Sequence, residues 1–482
     1  MFHKLEKKWA AIPLTVKVST AYAVCSILQK CLSFITLPLF TRLLTTEQYG
    51  QFTIYQSWSG IITIFITLNL AYGSFSTAMV KFEDRRSEYV SSIQGICLLL
   101  AAVFLLVYLP FQKFWNVLFE LPTLFILLMV AEIVCHAAIA LWSGKKRFEF
   151  KYKSVVFVTL LSAVLSPLLA FVLVKFNEEK GLARIAGYAL ITVAIGGVIF
   201  VLNLVKGKKL FNKEFWKYAF GFNIPLLAYY LSQVIFNQSD RIMISKLTEN
   251  GQSDAAMYGV AYNLAMILTF VLNAINNSYV PWMYGKIKEK KNEDNKNVSL
   301  GIGILMALMI LCVIWFAPEI ISVMAGEKYL SAVMVVPPVA MSLFLLFYSQ
   351  LFINVEFFYE EKKSLVWASI GAALVNIVLN WILIPVFGFV AAGYTTLFSY
   401  FIFAGANLFA MKRMLKKKEL PDGLYDYKQL ALLLIIFIAS GFLGVILYDL
   451  LVARIIIAAV VLVVFIVFFK KLMNILSFMK KG

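Results

Sequence analysis

Long apolar blocks, separated by short charged stretches, dominate this chain. A helix needs about 20 predominantly apolar residues to cross a hydrocarbon core about 30 Å thick. In that solvent every backbone polar group has to be satisfied within the segment or around a closed barrel. A barrel would show short segments of alternating polarity, and none occurs. The blocks therefore predict an all-α integral membrane protein with about 14 transmembrane helices. The expected spans are 16–40, 51–72, 91–110, 120–142, 154–174, 183–205, 218–245, 256–281, 299–318, 332–354, 365–387, 389–411, 429–449 and 452–473. Composition agrees: 61% of residues are hydrophobic and 15% charged, where a soluble domain carries roughly a quarter charged.

The net charge of +18 first suggests a nucleic-acid partner. The lysines instead flank the apolar blocks and form no aromatic-interleaved basic face, so no nucleic acid is expected. They read as topology signals. With the N-terminus in the cytoplasm, 34 of the 44 Lys and Arg residues fall on inner segments. The outer loops hold Arg42, Lys113, Lys175, Lys180, Arg184, Lys246, Lys328 and Arg454, and Lys30 and Arg241 lie inside spans. This places a multi-pass protein in the cytoplasmic (inner) membrane with both termini cytoplasmic. The opening MFHKLEKKWAAIPLTVKV is basic and shows no small-residue cleavage site, so it is expected to be retained, with an interfacial turn at Trp9. Cys25, Cys31, Cys97, Cys135 and Cys312 all lie in apolar segments without a CxxC pair, which predicts buried thiols and no metal.

The loops are short, and a soluble catalytic domain needs about 50 residues or more. No Walker A, dinucleotide glycine fingerprint, HExxH or GxSxG motif occurs. A transporter is expected, not an enzyme, and no cofactor. The long inner connections 282–298 and 412–428 are solvated charge runs suited to anionic lipid.

A weak repeat is visible. Residues 37–56 read LPLFTRLLTTEQYGQFTIYQ, and residues 236–263 read FNQSDRIMISKLTENGQSDAAMYGVAYN. Each has an Arg (Arg42, Arg241), a polar loop, and Tyr-Gly opening the next helix (Tyr49-Gly50, Tyr258-Gly259). An even number of intervening helices makes the repeat parallel. The expected organisation is a six-helix lobe over 1–205, a second over 206–411, and a final helix pair with a basic tail over 412–482.

Charges inside a bilayer are costly and default to functional candidates. Lys30, mid-helix, is either a cationic contact for a phosphate-bearing substrate or one half of a structural ion pair with Glu132. Glu132 and His136 share a face at i,i+4 and could exchange a proton. Asp240 and Arg241 read as a local ion pair or a gate, and Arg42 as an interfacial anchor. Asn273 and Asn277 with Asn276, and Asn376 with Asn380, either pack helices through amide hydrogen bonds or line a sugar pathway. Trp58, Trp115, Trp142, Trp216, Trp282 and Trp315 fit interfacial belts.

Several stretches resemble a known family. LPLFTRLLTTEQYGQF (37–52) is similar to a helix 1–2 junction, SDRIMISKL and AMYGVAYNLA (239–247, 256–265) to a helix 7–8 junction, and AGEKYLSA (325–332) to an outer loop. The most specific piece is NIVLNWILIPVFGFVAAGYTT (376–396), although Ala391 stands where the family often has a second glycine. These resemble the Wzx-like lipid-linked oligosaccharide flippases of the multidrug/oligosaccharidyl-lipid/polysaccharide (MOP) exporter superfamily. The resemblance implies two six-helix lobes around a central cavity and alternating access. It implies transfer of an undecaprenyl-pyrophosphate-linked repeat unit for O-antigen, capsule or exopolysaccharide assembly. On this reading Lys30, Arg241, Asn273, Asn277, Asn376 and Asn380 contact substrate, and Glu132, His136 and Asp240 are coupling candidates. Partners would be membrane lipid, the lipid-linked glycan, and a polysaccharide polymerase and chain-length regulator. The rivals are a cation-coupled drug exporter, usually of twelve helices, and a glycan polymerase or ligase, which needs a large outer loop.

Overall fold

The computed structural model describes residues 14–361 and 363–460. The expected interfacial turn at Trp9 and most of the expected span 452–473 lie outside these residues. All regular structure among the described residues is helical. Contacts divide the chain into two units, residues 1–238 and 239–482.

The first unit contains α1 (Leu14–Leu43), α2 (Thr46–Thr67), α3 (Phe75–Lys81), α4 (Arg86–Tyr108), α5 (Gln112–Phe119), α6 (Thr123–Phe148), α7 (Tyr152–Phe176), α8 (Lys180–Gly207) and α9 (Lys213–Asn223). The division falls inside α10 (Leu227–Leu247). The second unit continues with α11 (Gly251–Ala265), α12 (Leu268–Lys288), α13 (Asn292–Trp315), α14 (Ala317–Met324), α15 (Val336–Phe358), α16 (Lys363–Phe387), α17 (Val390–Lys417) and α18 (Tyr427–Ile446).

Among the described residues 12 helical stretches are long and apolar enough to cross a membrane. Helix α2 is a further helix of 22 residues whose first half carries Glu47, Gln48 and Gln51. It can be polar because it is sheltered: it packs on α4, α6 and α8, and Tyr49, Phe52, Ile54 and Tyr55 are buried. Its start is fixed locally. The Thr45 hydroxyl accepts the Gln48 N–H at 3.2 Å, and the Gln48 side chain accepts the Thr45 N–H at 3.1 Å. This reciprocal cap explains the polar TTEQ before Tyr-Gly.

Helix α8 is the axis of the first unit, packed on α4, α6 and α7. Gly187, Gly196 and Gly207 lie along it where a Cβ would collide with Ala170, Cys135 and Ser91. Small residues permit such backbone approach in membrane interiors, where lipid removes most of the hydrophobic drive. Asn203 then reaches Gln94 across the same interface, at 2.5 Å.

In the second unit α15 is the central helix, packed on α12, α13, α17 and α18. The C-terminal segment is tied to it and to α13. The Phe437 ring centroid lies 4.3 Å from that of Phe344, and the Tyr348 hydroxyl donates to the Leu430 carbonyl at 2.7 Å. Arg454 forms a fork on Glu319 at 2.7 and 2.8 Å and donates to the carbonyls of Trp315 and Tyr448.

Candidate functional site

The first unit contains a cavity of about 510 Å³. Helix α1 presents Tyr22, Cys25, Ser26, Gln29 and Thr36 to it, positions that share one helical face. Helix α6 adds His136, Ser143 and Arg147, α7 adds Thr159, Ser162 and Ser166, and α8 adds Tyr188 and Thr192. The wall is therefore rich in hydroxyls inside an apolar bundle. Ser162 and Thr192 donate back to their own helices, to Val158 and Tyr188 carbonyls. That satisfies their protons and leaves oxygen lone pairs for a hydroxylated ligand.

Arg147 is the cation of this cavity. Its guanidinium lies 4.9 Å from the Tyr22 ring centroid, and no carboxylate reaches it among the described residues. The nearby acid is engaged elsewhere: Glu149 lies 3.2 Å from both Lys146 and Lys151 and 3.9 Å from Lys145. Burial pushes the Glu149 carboxyl up, but its hydrogen bonds to Lys146 and Lys151 and the lysine charges outweigh this and hold it below the ordinary carboxylate range. Three lysines thus share Glu149 and leave the exposed Arg147 for a ligand. Sequence reasoning counted Arg147 only among inner-loop charges. Its signal was the spacing from His136, eleven residues or about three turns, which puts both on one face.

Of the residues expected from sequence, His136 lines the cavity. Glu132 is half-buried and accepts the Tyr55 hydroxyl at 2.6 Å; no ion pair joins it to Lys30 or His136 among the described residues. Lys30 is exposed on α1 beside the cavity-facing Gln29. Arg42 is exposed in the last turn of α1.

In the second unit the structure brings Asp240, Asn376 and Asn380 together. The Asp240 carboxylate, 1% exposed, accepts from Tyr258 Oη at 2.5 Å, Asn380 Nδ2 at 2.6 Å and Thr396 Oγ1 at 2.8 Å. Asn380 also donates to Asn376 Oδ1 at 3.3 Å and accepts the Thr395 hydroxyl. The sequence builds this locally. Asn376 and Asn380 are one turn apart on α16, and Gly388, at φ +70°, closes the helix in a left-handed conformation suited to glycine. The chain reverses there, and with Asn380 eight residues before Gly388 and Thr395 and Thr396 seven and eight after it, the two threonines come to lie opposite Asn380. The aromatic-Gly element of the 376–396 motif is thus a hinge for a polar cluster.

Arg241 is buried, with its guanidinium 4.3 Å from the Tyr262 ring centroid. Asn273 and Asn277 are exposed on α12. Their neighbour Asn276 makes the cross-helix bonds, to Gln350 at 2.8 Å and from Asn354 at 3.0 Å.

Residues 16–285 match the family model described as polysaccharide biosynthesis protein. The chain belongs to that family. Residues 225–382 of this polysaccharide biosynthesis protein also match the MatE family model. It is 22% identical over 292 residues to an uncharacterized membrane protein of Haemophilus influenzae, a match covering 57% of this chain and 66% of that protein, just under two thirds. It is 23% identical to the Lsg locus putative protein 1 of the same organism, over 57% of this chain and 67% of that one. Among solved structures, the lipid II flippase MurJ in an inward closed conformation matches with a TM-score of 0.66 at 13% identity, covering 90% of this chain and 99% of MurJ. An inward-facing multidrug resistance MATE family transporter of the MOP superfamily matches at 0.64 and 12% identity, over 80% and 95%. The protein is a multi-pass membrane protein whose fold is that of the lipid II flippase and MATE transporter structures.

Proposed function

We propose that this protein is a flippase that moves an undecaprenyl-diphosphate-linked oligosaccharide repeat unit across the cytoplasmic membrane by alternating access, for surface polysaccharide assembly. The observation that carries the reading is Arg147. It is a guanidinium with no carboxylate partner among the described residues, set over the Tyr22 ring, at the end of a hydroxyl-lined cavity where α6 terminates. A guanidinium presents a planar fork that matches phosphate oxygens. The serine and threonine oxygens of α6, α7 and α8 suit sugar hydroxyls, and the polyprenyl chain stays in lipid. The cytoplasmic placement of both termini follows from the lysine and arginine bias. A polymerase and a chain-length regulator are the partners this role requires.

The Asp240 cluster supports cation coupling. A buried carboxylate bonded by one amide and two hydroxyls can hold a sodium ion on oxygen ligands once the donors rotate, or can take a proton. The MatE match over 225–382 covers Asp240, Asn376 and Asn380, and favours a cation-coupled exporter as the second reading. The two readings differ in cargo. A deletion strain should accumulate lipid-linked repeat units and lose surface glycan. An unchanged lipid-linked pool with raised drug sensitivity would replace the flippase by the exporter.

A further inference from the structure

Arg184 is a second arginine of the first unit with no carboxylate on it among the described residues. It lies in the second turn of α8 and is 5% exposed. Its guanidinium is 3.8, 4.4 and 4.5 Å from the ring centroids of Phe52, Phe40 and Tyr49. Its Nε and Nη1 are buried and have no hydrogen-bond partner among the described residues. An uncompensated charge in such a place is costly. Aromatic faces offset part of that cost by attraction to the flat of the cation. They leave the in-plane Nε and Nη1 donors unused, and such donors are the groups that bind an oxyanion.

Its depth is defined by packing. Gly196 of α8 lies against Cys135 of α6, and the two helices run the same way because the single helix α7 joins them. Arg184 precedes Gly196 by twelve residues, and Arg147 follows Cys135 by twelve. At 1.5 Å per residue the two arginines are about 36 Å apart along the bundle, a full bilayer core. Arg147 stands at one membrane face and Arg184 at the other. Tyr188, one turn after Arg184, lines the cavity, and its ring packs 5.3 Å from Phe52 and 6.1 Å from Phe40. The Tyr188, Phe52 and Phe40 rings thus form a continuous wall from the cavity lining to Arg184.

We propose that Arg184 is the release-side phosphate station of the translocation path, receiving the diphosphate of the lipid-linked substrate when the Phe40–Phe52–Tyr188 wall parts. It rests on the flippase reading and assigns that reading its second anchoring point. The shared chemistry is a phosphate oxyanion, which a bulk anionic phospholipid also carries, so the test separates the two.

Full-length protein is reconstituted in vesicles with known sidedness and probed with inorganic diphosphate, a short-chain lipid-linked diphosphate sugar, and phosphatidylglycerol. R184M should keep diphosphate binding from the cytoplasmic side within twofold of wild type. Its transport should fall at least about tenfold, the loss expected for one charge-assisted contact. R184K, which retains charge without the fork, should fall between them. Wild-type transport by R184M would overturn the proposal. Should R184M fail to fold, phenylglyoxal labelling of Arg184 in wild-type protein serves instead. Inorganic or lipid-linked diphosphate added from outside should protect it. Protection by neither, or by phosphatidylglycerol alone, would also overturn it. R147M in the same assay reports on the flippase reading separately: if cytoplasmic-side diphosphate binding survives in R147M, that reading fails whatever Arg184 does.

Discussion

The repeated Tyr-Gly element has opposite partners in the two units. Tyr258 donates its hydroxyl to the buried Asp240 carboxylate, whereas the Tyr49 ring stacks on the buried Arg184 guanidinium 4.5 Å away. The same residue type, in the same motif, meets an anion in one unit and a cation in the other. The surroundings follow suit. Asp240 is saturated by three donors, and Arg184 has two donors unused. The first unit also holds Arg147, which no carboxylate reaches among the described residues, and the second holds the amide and hydroxyl oxygens of Asn376, Asn380, Thr395 and Thr396. The Tyr-Gly tyrosine thus meets a carboxylate in the second unit and a guanidinium in the first, and on this contrast rest the proposed cation site and the proposed phosphate sites.

The sharpest way to break this contrast is to reverse its first pole. R147E should lower transport of a lipid-linked diphosphate by about a hundredfold or more, since it replaces an attraction by a repulsion. Its thermal midpoint should stay within a few degrees, because Arg147 is exposed and forfeits only a cation–π contact of about 1 kcal/mol. A large drop in midpoint would make Arg147 a structural residue. For the second pole, D240N retains shape but places an amide against the Asn380 and Thr396 donors. The cost should be about 1–3 kcal/mol for donors left unmatched, and transport should lose its response to a sodium or pH gradient. An undiminished response would remove Asp240 from coupling.

Those two residues differ in how well they could be read from sequence. Asp240, Asn376 and Asn380 were legible because a charge or repeated amide inside an apolar block is anomalous on its face. Arg147 was not, because an arginine beside lysines at a helix end looks like every other topology charge. Only the three-dimensional diversion of Glu149 to its lysine neighbours distinguishes it. Lys30 shows the converse: its depth was legible, but the side of α1 it occupies was not, since an apolar stripe on every face leaves the helix without a readable moment. The long helices were plain from hydropathy alone. Helix α2 combined a legible cap with a polar half that only burial by α4, α6 and α8 explains.

A smaller effect tests the clamp on the C-terminal segment. The Arg454 hydrogen bonds hold the Glu319 carboxyl below the ordinary range, with burial opposing. A depressed folded-state value means the clamp contributes fully above the unfolded-state value and is lost as pH falls through the folded one. E319Q should therefore reduce stability by about 1 kcal/mol at neutral pH, as expected for a partly exposed pair. It should also flatten the acid side of the stability profile. A profile as steep as wild type would assign that acid limb to other carboxylates.

The smallest expected change separates packing amides from pathway amides on one helix. N276A loses bonds to Gln350 and Asn354 and should cost about 0.6–2 kcal/mol. N273A and N277A, both exposed, should stay within about 0.5 kcal/mol. If transport nevertheless drops in N273A or N277A, these amides touch the sugar.

The glycines of α8 have a mechanical consequence. At Gly187, Gly196 and Gly207 the helix meets three neighbours with no room for even one added carbon. Such contacts tolerate neither sliding nor rolling. The first unit is then stiff along its length, a lever and not a spring. A tug at the Arg147 end should reach the Arg184 end undiminished, and whatever flexes during a transport cycle has to do so where side chains, not backbones, fill the gap.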